Sequence, residues 1–330
     1  MRTVASYAST PPLCCGDSEL EALKARVGET RHALGDTTWK KMVSRAEEPV
    51  LIVGRTQHPP SRAYFKMLEI IRTCAIRVCG TSLHLCEAPG GFAQATLDET
   101  DATAVVVTTL AFGNVPKFAT SLLRQKNVTV LADMPREADI LCAETRDRIV
   151  DACAGAVFVT ADGASNNDDR PQLTEARSAI LFLQQVFTAL RVQAKGGTFV
   201  IKVFGLSMRP TLEGIALLAS CYGTVSLLKP RSSRAVNDER YVVCQDFLGC
   251  PPALPVLARE SGAYLCSVAE VAPTWILHMQ SVVGGLHEVQ KCAIRRALMC
   301  TVRDGRVPCA PDTRQERQSQ KRGRHERRPR

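Results

Sequence analysis

The sequence lacks three features that would place it in a special class of proteins. It has fourteen cysteines among 330 residues but no Cys-x-x-C pair, so the spacing of common zinc sites is absent and no metal is expected. No apolar run follows Met1, and no uncharged run is long enough to span a bilayer. Aromatic residues make up only 5% of the chain. We expect a soluble, intracellular protein, cytoplasmic or nuclear and not secreted, with reduced and mostly buried cysteines.

Positive charge is concentrated near the carboxyl terminus. The formal net charge is +9, and residues 311–330 hold eight Lys or Arg against three Asp or Glu. A basic arm of this kind can bind a polyanion by releasing its counterions. A solvated terminus or a nuclear-import signal explains the same composition equally well. We expect residues 304–330 to be a disordered basic tail, with its role open between these interpretations.

The middle of the chain alternates short β-branched runs with amphipathic stretches. This alternation predicts an α/β fold, with an open, mostly parallel sheet of seven strands and helices on both faces. Expected strands lie near residues 83–85, 104–109, 128–131, 156–160, 198–204, 224–228 and 240–244. Expected helices lie near residues 62–71, 92–97, 116–126, 138–152, 173–191 and 211–221.

Composition shifts divide the chain into four parts. A domain over residues 51–250 is expected to hold the sheet, and an extension over residues 1–50 contains one amphipathic helix near 20–34. A proline cluster begins at Pro251 and marks a boundary. Beyond it, residues 251–303 are expected to be a helical appendage, helical from 264 and interrupted at Gly284-Gly285.

Residues 83–94 combine a buried strand, a glycine turn and the start of a helix. Gly90 and Gly91 permit a positive φ and a close approach of the backbone. A helix beginning near Phe92 would present free N–H groups beyond the carboxyl end of the strand, where open α/β sheets bind ligands. An ordinary Pro-Gly-Gly turn is the alternative. This stretch is therefore a candidate cofactor loop.

Four charged residues fall where the pattern does not otherwise place charge. Lys202 lies in the middle of the most hydrophobic strand, which is costly unless its ammonium group is paired or reaches the strand end. Asp162 follows the preceding strand, Glu239 precedes the last strand, and Lys66 lies in the helix 62–71. A buried Lys202–Asp162 pair with two surface charges explains these residues as well as a catalytic site does.

Five segments in chain order resemble one family, the FtsJ/RrmJ family of RNA ribose 2′-O-methyltransferases. The resemblance implies a Rossmann-like methyltransferase domain, S-adenosyl-L-methionine as cofactor and RNA as partner. The segments are 61–66, 85–92, 161–163, 196–204 and 229–244.

The resemblance also assigns roles to individual residues. It implies that Asp133 contacts the adenine of the cofactor, although a helix N-cap is the alternative for this residue. The arginines of the implied RNA path could equally be ordinary surface residues. The implied catalytic residues are Lys66, Asp162, Lys202 and Glu239. The implied cofactor loop is Glu87, Ala88, Pro89, Gly90, Gly91 and Phe92. The implied RNA contacts are Arg62, Arg231, Ser233 and Arg234.

A mechanism follows from what ribose methylation requires. The 2′-hydroxyl is a poor nucleophile, so it must lose its proton as it attacks the methyl group. We hypothesise that Lys202 takes this proton, with its pKa lowered by desolvation and by the charge of Lys66. Asp162 and Glu239 would orient the two lysines.

Within the family, Cys86, Gly163 and residues 239–244 look more like the mRNA cap enzymes than the bacterial ribosomal ones. This favours capped mRNA, methylated at its first transcribed nucleotide, with other capping enzymes as further partners. Ribosomal or transfer RNA is the near alternative. A second alternative is a non-catalytic RNA-binding protein that keeps the fold. Many methyltransferases end their second strand in an acidic residue that holds the cofactor ribose, and the lack of one at residues 108–110 favours this alternative. His84 stands where the family has an acidic residue. Trp39 and Trp275 are expected in the core, and stacking on a cap guanine is the alternative for both.

Overall fold

The computed structural model describes residues 17–46, 52–111, 113, 115–131, 133–164, 174–250 and 273–303. The predicted basic tail and the first part of the predicted helix 264–303 lie outside these residues. Within them, no helix is long and apolar enough to cross a membrane.

A single mixed sheet of seven strands is the centre of the described structure, in the order β3-β2-β1-β4-β5-β7-β6. Strands β1 to β5 pair in parallel, whereas β7 is antiparallel to both β5 and β6. The predicted mostly parallel α/β sheet is therefore confirmed. The strands are β1 (Cys79–Leu85), β2 (Asp101–Val107), β3 (Val128–Val130), β4 (Ala156–Ala161), β5 (Gln193–Phe204), β6 (Tyr222–Leu228) and β7 (Glu239–Phe247).

Helices cover both faces of this sheet because the strands are apolar on both sides. Side chains along a strand alternate between its two faces. In β5, Phe199 and Ile201 join the core on one face, while Val200 joins the core on the other. The helices are α1 (Ser18–Leu34), α2 (Asp36–Ala46), α3 (Ala63–Thr73), α4 (Gly91–Glu99), α5 (Thr120–Leu123), α6 (Ala143–Cys153), α7 (Thr174–Val192), α8 (Arg209–Cys221) and α9 (Pro273–Arg303).

Three details differ from the sequence-based expectation. The stretch 116–126 forms only the four-residue helix α5, and β5 already begins at Gln193, before the two glycines expected to precede it. The pairing of β4 with β5 shifts register between Ala156 and Phe158, which accommodates the extra residues. The predicted interruption at Gly284-Gly285 is wrong, because α9 continues through both glycines.

Helices α1, α2 and α9 pack together although they lie at opposite ends of the chain. Their shared core contains Leu20, Leu23, Trp39, Ile294 and Leu298. Trp39 is buried there, as expected, while the side chain of Trp275 lies outside the described residues. We call α1, α2 and α9 the helical unit. The predicted limits of the four parts of the chain stay a prediction.

The cysteines are less buried than expected. Cys153 and Cys244 are buried, but Cys79, Cys250 and Cys292 are exposed. Cys79 is exposed because it begins β1, at the end of the strand that the core does not cover. The nine described free cysteines have no disulfide partner among them.

Candidate active site

The four predicted catalytic residues meet at one end of the sheet, on the face that α3 covers. Lys202 shares this face with Val200, since both lie at even positions of β5. In the antiparallel pairing of β5 with β7, Lys202 lies opposite Tyr241 and Phe204 lies opposite Glu239. Asp162 directly follows β4, whose last residue pairs with the residue before Lys202. Strand register and helix packing thus bring together residues that are far apart in sequence.

Two ion pairs connect these residues. Lys202 Nζ lies 2.9 Å from Asp162 Oδ1 and donates a hydrogen bond of 2.6 Å to the main-chain oxygen of Asp162. Lys66 Nζ lies 2.7 Å from Glu239 Oε1. The Lys202 and Glu239 side chains are only 9% exposed, and that of Lys66 is 16% exposed. The interpretation of Lys66 and Glu239 as surface charges is therefore wrong.

The charges of the pairs decide which groups are ionised. Burial raises the pKa of Glu239, but the positive charges of Lys66 and Lys202 outweigh burial and hold this pKa at about 2. Burial lowers the pKa of Lys202, but Asp162 and Glu239 outweigh it and the net shift is upward. The hypothesis of a lowered Lys202 pKa is therefore wrong for the free protein, because the two carboxylates, which were expected to orient the lysines, also outweigh the desolvation of Lys202.

Three further residues around Glu239 complete the site. Ser233 Oγ and Tyr241 OH donate hydrogen bonds of 2.9 and 3.1 Å to Glu239 Oε1. Lys229 Nζ donates to the main-chain oxygens of Asn237 and Glu239, and burial lowers the pKa of Lys229 to about 7. Sequence reasoning missed Tyr241 in this role, although its spacing of two from Glu239 places both on one strand face. Lys229 gave no such signal.

The residues predicted to contact RNA differ in their exposure to solvent. Arg62 and Arg231 are exposed, Arg234 is half-buried, and Ser233 is buried against Glu239. Glu69 fixes the loop that carries three of them, because its carboxylate accepts hydrogen bonds from the main-chain N–H groups of Arg231 and Ser232. Exposed arginines beside a catalytic cluster are suited to phosphate contacts, whereas Ser233 mainly orients Glu239.

An acidic side chain of the candidate cofactor loop caps the helix α4 that follows it. Glu87 Oε1 accepts hydrogen bonds from the N–H groups of Phe92 and Ala93, at 2.7 and 3.0 Å. The prediction that these groups are free to bind a ligand is wrong, because Glu87 already caps the helix. The other oxygen, Oε2, is buried and has no hydrogen-bond partner among the described residues. Burial, followed by the negative charge of Asp162, raises the pKa of Glu87 well above its usual range.

The two glycines of this loop allow close packing. Gly90 has a φ of 110°, and a Cβ atom there would collide with Leu122. A Cβ atom on Gly91 would lie 2.7 Å from the main-chain nitrogen of Tyr64 in α3. The two glycines therefore pack tightly between α3 and α5, beside the carboxyl end of β1, and Ala88 and Pro89, which precede them, are half-buried. A buried, unpartnered carboxylate oxygen in this loop fits a ligand with a cationic or hydrogen-bond-donating group, such as S-adenosyl-L-methionine with its ammonium and sulfonium charges.

The structure also shows the surroundings of Asp133 and His84, both of which the sequence singled out. Asp133 is exposed, with a φ of 53°, just after β3. Met134, not Asp133, occupies the cap position of the following turn, Pro135–Ala138. His84 is fully buried, its ring nitrogens lie within hydrogen-bond distance of Thr160 and Ser82, and burial lowers its pKa to about 3. His84 is thus a neutral core residue.

The helical unit contacts the segment that leads into Glu239. Lys24 Nζ lies 2.5 Å from Asp238 Oδ2, and Gln290 Nε2 donates to Asp238 Oδ1 at 2.8 Å. Gln290 also accepts a hydrogen bond from the buried Arg240. Residues on both sides of Glu239 are therefore held by helices from the two ends of the chain. In the part of the chain that the structure describes, no group of three His, Cys, Asp or Glu could hold a metal ion.

Comparison with known proteins gives one family. The family model described as FtsJ-like methyltransferase matches residues 59–247. This segment contains the four clustered charged residues and the glycine loop.

Among curated relatives, the chain is 30% identical over 234 residues to a protein of Leishmania braziliensis named cap-specific mRNA (nucleoside-2′-O-)-methyltransferase 1. The match covers 62% of this chain and 57% of that protein. A protein of the same name from Danio rerio is 43% identical over 91 residues, covering 28% of this chain and 11% of its own length. The ribosomal RNA large subunit methyltransferase E of Methanococcus aeolicus is 27% identical over 216 residues, covering 65% and 75%.

Proposed function

Because the chain belongs to the FtsJ-like methyltransferase family, we propose that it transfers a methyl group to the 2′-oxygen of an RNA ribose. FtsJ-like methyltransferases use S-adenosylmethionine as the methyl donor. The observation that carries the proposal is the cluster of Lys202, Asp162, Lys66 and Glu239, which are paired and largely buried at the sheet end next to the glycine loop. A protein that only binds RNA has no need to bury two ion pairs there.

The reaction forms a bond between the 2′-oxygen and the methyl carbon, breaks the bond between sulfur and that carbon, and releases the hydroxyl proton. In the free protein Lys202 is held protonated by Asp162 and Glu239. We propose that the neutral form of Lys202 accepts the hydroxyl proton as the 2′-oxygen attacks, and that the ammonium group so formed stays hydrogen-bonded to that oxygen. Asp162 fixes Lys202, and Glu239 fixes Lys66 on the other side of the hydroxyl. The proton leaves through the small neutral fraction of Lys202 once the hydroxyl is held in line.

We further propose that the substrate is capped mRNA and that the target is its first transcribed nucleotide. The proposal is supported by the names of the Leishmania and Danio relatives, to which the chain is 30% and 43% identical over the matched parts. The chain spans little more than half of the first relative and about a tenth of the second. Ribosomal RNA is the second candidate, because the match to the Methanococcus protein covers 65% of the chain.

The test compares two transcripts of one sequence, one capped and one uncapped. Each is incubated with the full chain and labelled S-adenosylmethionine, and the labelled nucleoside is identified after digestion. Label on the 2′-oxygen of the first nucleotide of the capped RNA alone supports the cap assignment. Equal labelling of both transcripts contradicts it and favours structured or ribosomal RNA. No label in any RNA contradicts the methyltransferase proposal itself.

A further inference from the structure

A cavity of about 370 Å³ separates the helical unit from the catalytic residues. Lys202, Phe204 and Glu239 line it on the side of the sheet, and Arg234 and Asp238 line it from the loop before β7. Helices α1 and α2 form the opposite wall. Their charged residues in this wall are Lys24, Arg31 and Lys40.

The cavity adjoins the paired charged residues and not the candidate cofactor loop. The described residues that line it include Lys202 and Glu239, but neither Asp133 nor any residue of the glycine loop 87–92. The cofactor fit rests on Glu87 in that loop. A molecule in the cavity would therefore contact Lys202 and Glu239 from the side of the helical unit.

The charges of the lining favour an anionic occupant. Five cationic side chains line the cavity, against the two carboxylates of Asp238 and Glu239. Arg31 and Lys40 both pair with Asp36, whose side chain is 47% exposed. The Lys40–Asp36 pair is 3.4 Å long and about half exposed on both sides, so it contributes little stability and Lys40 can exchange Asp36 for a phosphate at small cost.

The size of the cavity fits one nucleotide. Small-molecule sites usually measure roughly 300–1,000 Å³, and this cavity lies at the lower end of that range. We infer that the cavity is a nucleotide subsite, which holds the nucleotide next to the target ribose and places its phosphate against Lys40 and Arg31. The inference rests on the proposed function. The nucleotide comes either from the RNA chain or from the 5′ cap, since both offer the same base, ribose and phosphate chemistry.

The subsite gives the helical unit a part in substrate selection. The residues that α1, α2 and α9 contribute to the cavity all lie outside residues 59–247, the segment that the family model matches. The shared methyltransferase segment would then supply the chemistry, and the two ends of this chain would supply the wall that selects the neighbouring nucleotide.

Lys40 and its neighbour Lys41 provide a matched test. Both are exposed lysines of α2, but only Lys40 lines the cavity. RNA affinity is measured by fluorescence anisotropy for the full chain and for Lys40→Ala and Lys41→Ala, with a short labelled RNA in capped and uncapped form and over a series of salt concentrations. S-adenosylhomocysteine binding, measured by calorimetry, verifies that each variant is folded.

Loss of one phosphate contact should lower the slope of log affinity against log salt by about 0.7, which is about a fourfold loss at ~0.15 M salt. We expect this loss for Lys40→Ala and none for Lys41→Ala. A loss seen only with capped RNA assigns the subsite to the cap nucleotide, and an equal loss with both RNAs assigns it to the chain.

Equal effects of the two substitutions, or no effect of either, would overturn the subsite. If the unaltered chain still methylates RNA in that case, the proposed function stands without it. If the unaltered chain neither binds nor methylates RNA, the proposed function fails and the subsite fails with it.

Discussion

Glu239 is the residue on which the polar contacts of the site converge. A single oxygen, Oε1, receives Lys66, Ser233 and Tyr241 within 2.7 to 3.1 Å. The side chain is buried, so its donors have few other partners when the carboxylate is lost. The ionised form of Glu239 therefore contributes to the stability of the fold as well as to the arrangement of the lysines.

Replacement of Glu239 should change the pH dependence of stability. The folded pKa is about 2, below the ordinary value of 4.5, so the stabilisation is complete above about pH 4.5 and is lost as the pH falls toward 2. A shift of this size corresponds to roughly 3 kcal/mol. In urea unfolding, Glu239→Gln should cost about this much at neutral pH and progressively less in acid. A constant difference at all pH values would contradict the charge pairing.

Lys202 should give the reaction a rising pH profile. Its pKa is raised in the free protein, despite its burial, by Asp162 and Glu239. If its neutral fraction receives the proton, the single-turnover rate should rise about tenfold per pH unit through the neutral range. A rate that levels off near neutral pH would instead support the lowered pKa that sequence reasoning suggested.

Glu87 should matter for cofactor binding rather than for chemistry. Glu87→Gln keeps an oxygen for the N–H groups of Phe92 and Ala93 but replaces the unpartnered Oε2, which can accept a hydrogen bond or ionise against a cation, by an NH₂ group that can only donate. We expect S-adenosylmethionine affinity to fall by about 1–3 kcal/mol in calorimetry. Unchanged affinity would show that Glu87 serves only as the helix cap.

At the scale of secondary structure, local patterns predicted much of the fold and part of the site. The alternation of β-branched runs with amphipathic stretches predicted the seven strands, and the charge of Lys202 within an apolar strand marked the end of β5 where the ion pairs lie. The same patterns could not reveal the contacts of Lys24 and Gln290 with Asp238, because these join residues that are far apart in the sequence. Nor could they reveal that Glu87 caps α4, since capping depends on how the loop folds back.

The segment before β7 depends on the helical unit. Asp238 lies between Lys24 and Gln290, one residue before Glu239, with its side chain 12% exposed. Burial lowers the pKa of Lys24 and raises that of Asp238, but their pairing reverses both shifts. Loss of Lys24 leaves the Asp238 carboxylate, next to Glu239, with the neutral Gln290 amide in place of an ion pair, and loss of Asp238 leaves Lys24 with the half-exposed Glu21.

A double-mutant cycle measures this coupling. Lys24→Met, Asp238→Asn and the double variant should give an interaction energy of about 1–3 kcal/mol in chemical unfolding. The exposed pair of Arg191 and Asp147 is the control, with an expected value below about 1 kcal/mol. Equal coupling energies for the two pairs would mean that the helical unit does not support the segment before Glu239.

On the scale of the whole molecule, one end of the sheet brings together residues of the family segment 59–247 and residues of the helical unit. The family segment supplies the glycine loop and the two ion pairs, and the helical unit covers the loop before β7. The net charge of +9, of which residues 311–330 carry +5, favours a polyanionic partner, whereas the buried pairs favour a reaction at one ribose. RNA binding and methyl transfer are therefore expected to depend on different residues.

The most direct test of the account is a single-turnover methyl transfer with labelled S-adenosylmethionine, comparing the unaltered chain with Lys202→Met. Calorimetry of cofactor binding on both proteins shows whether the site is folded. We predict 2′-O-methylated nucleoside from the unaltered chain, and cofactor binding without detectable transfer from Lys202→Met. Transfer by Lys202→Met at an undiminished rate would contradict the assignment of the reaction to the paired charges at the end of β5.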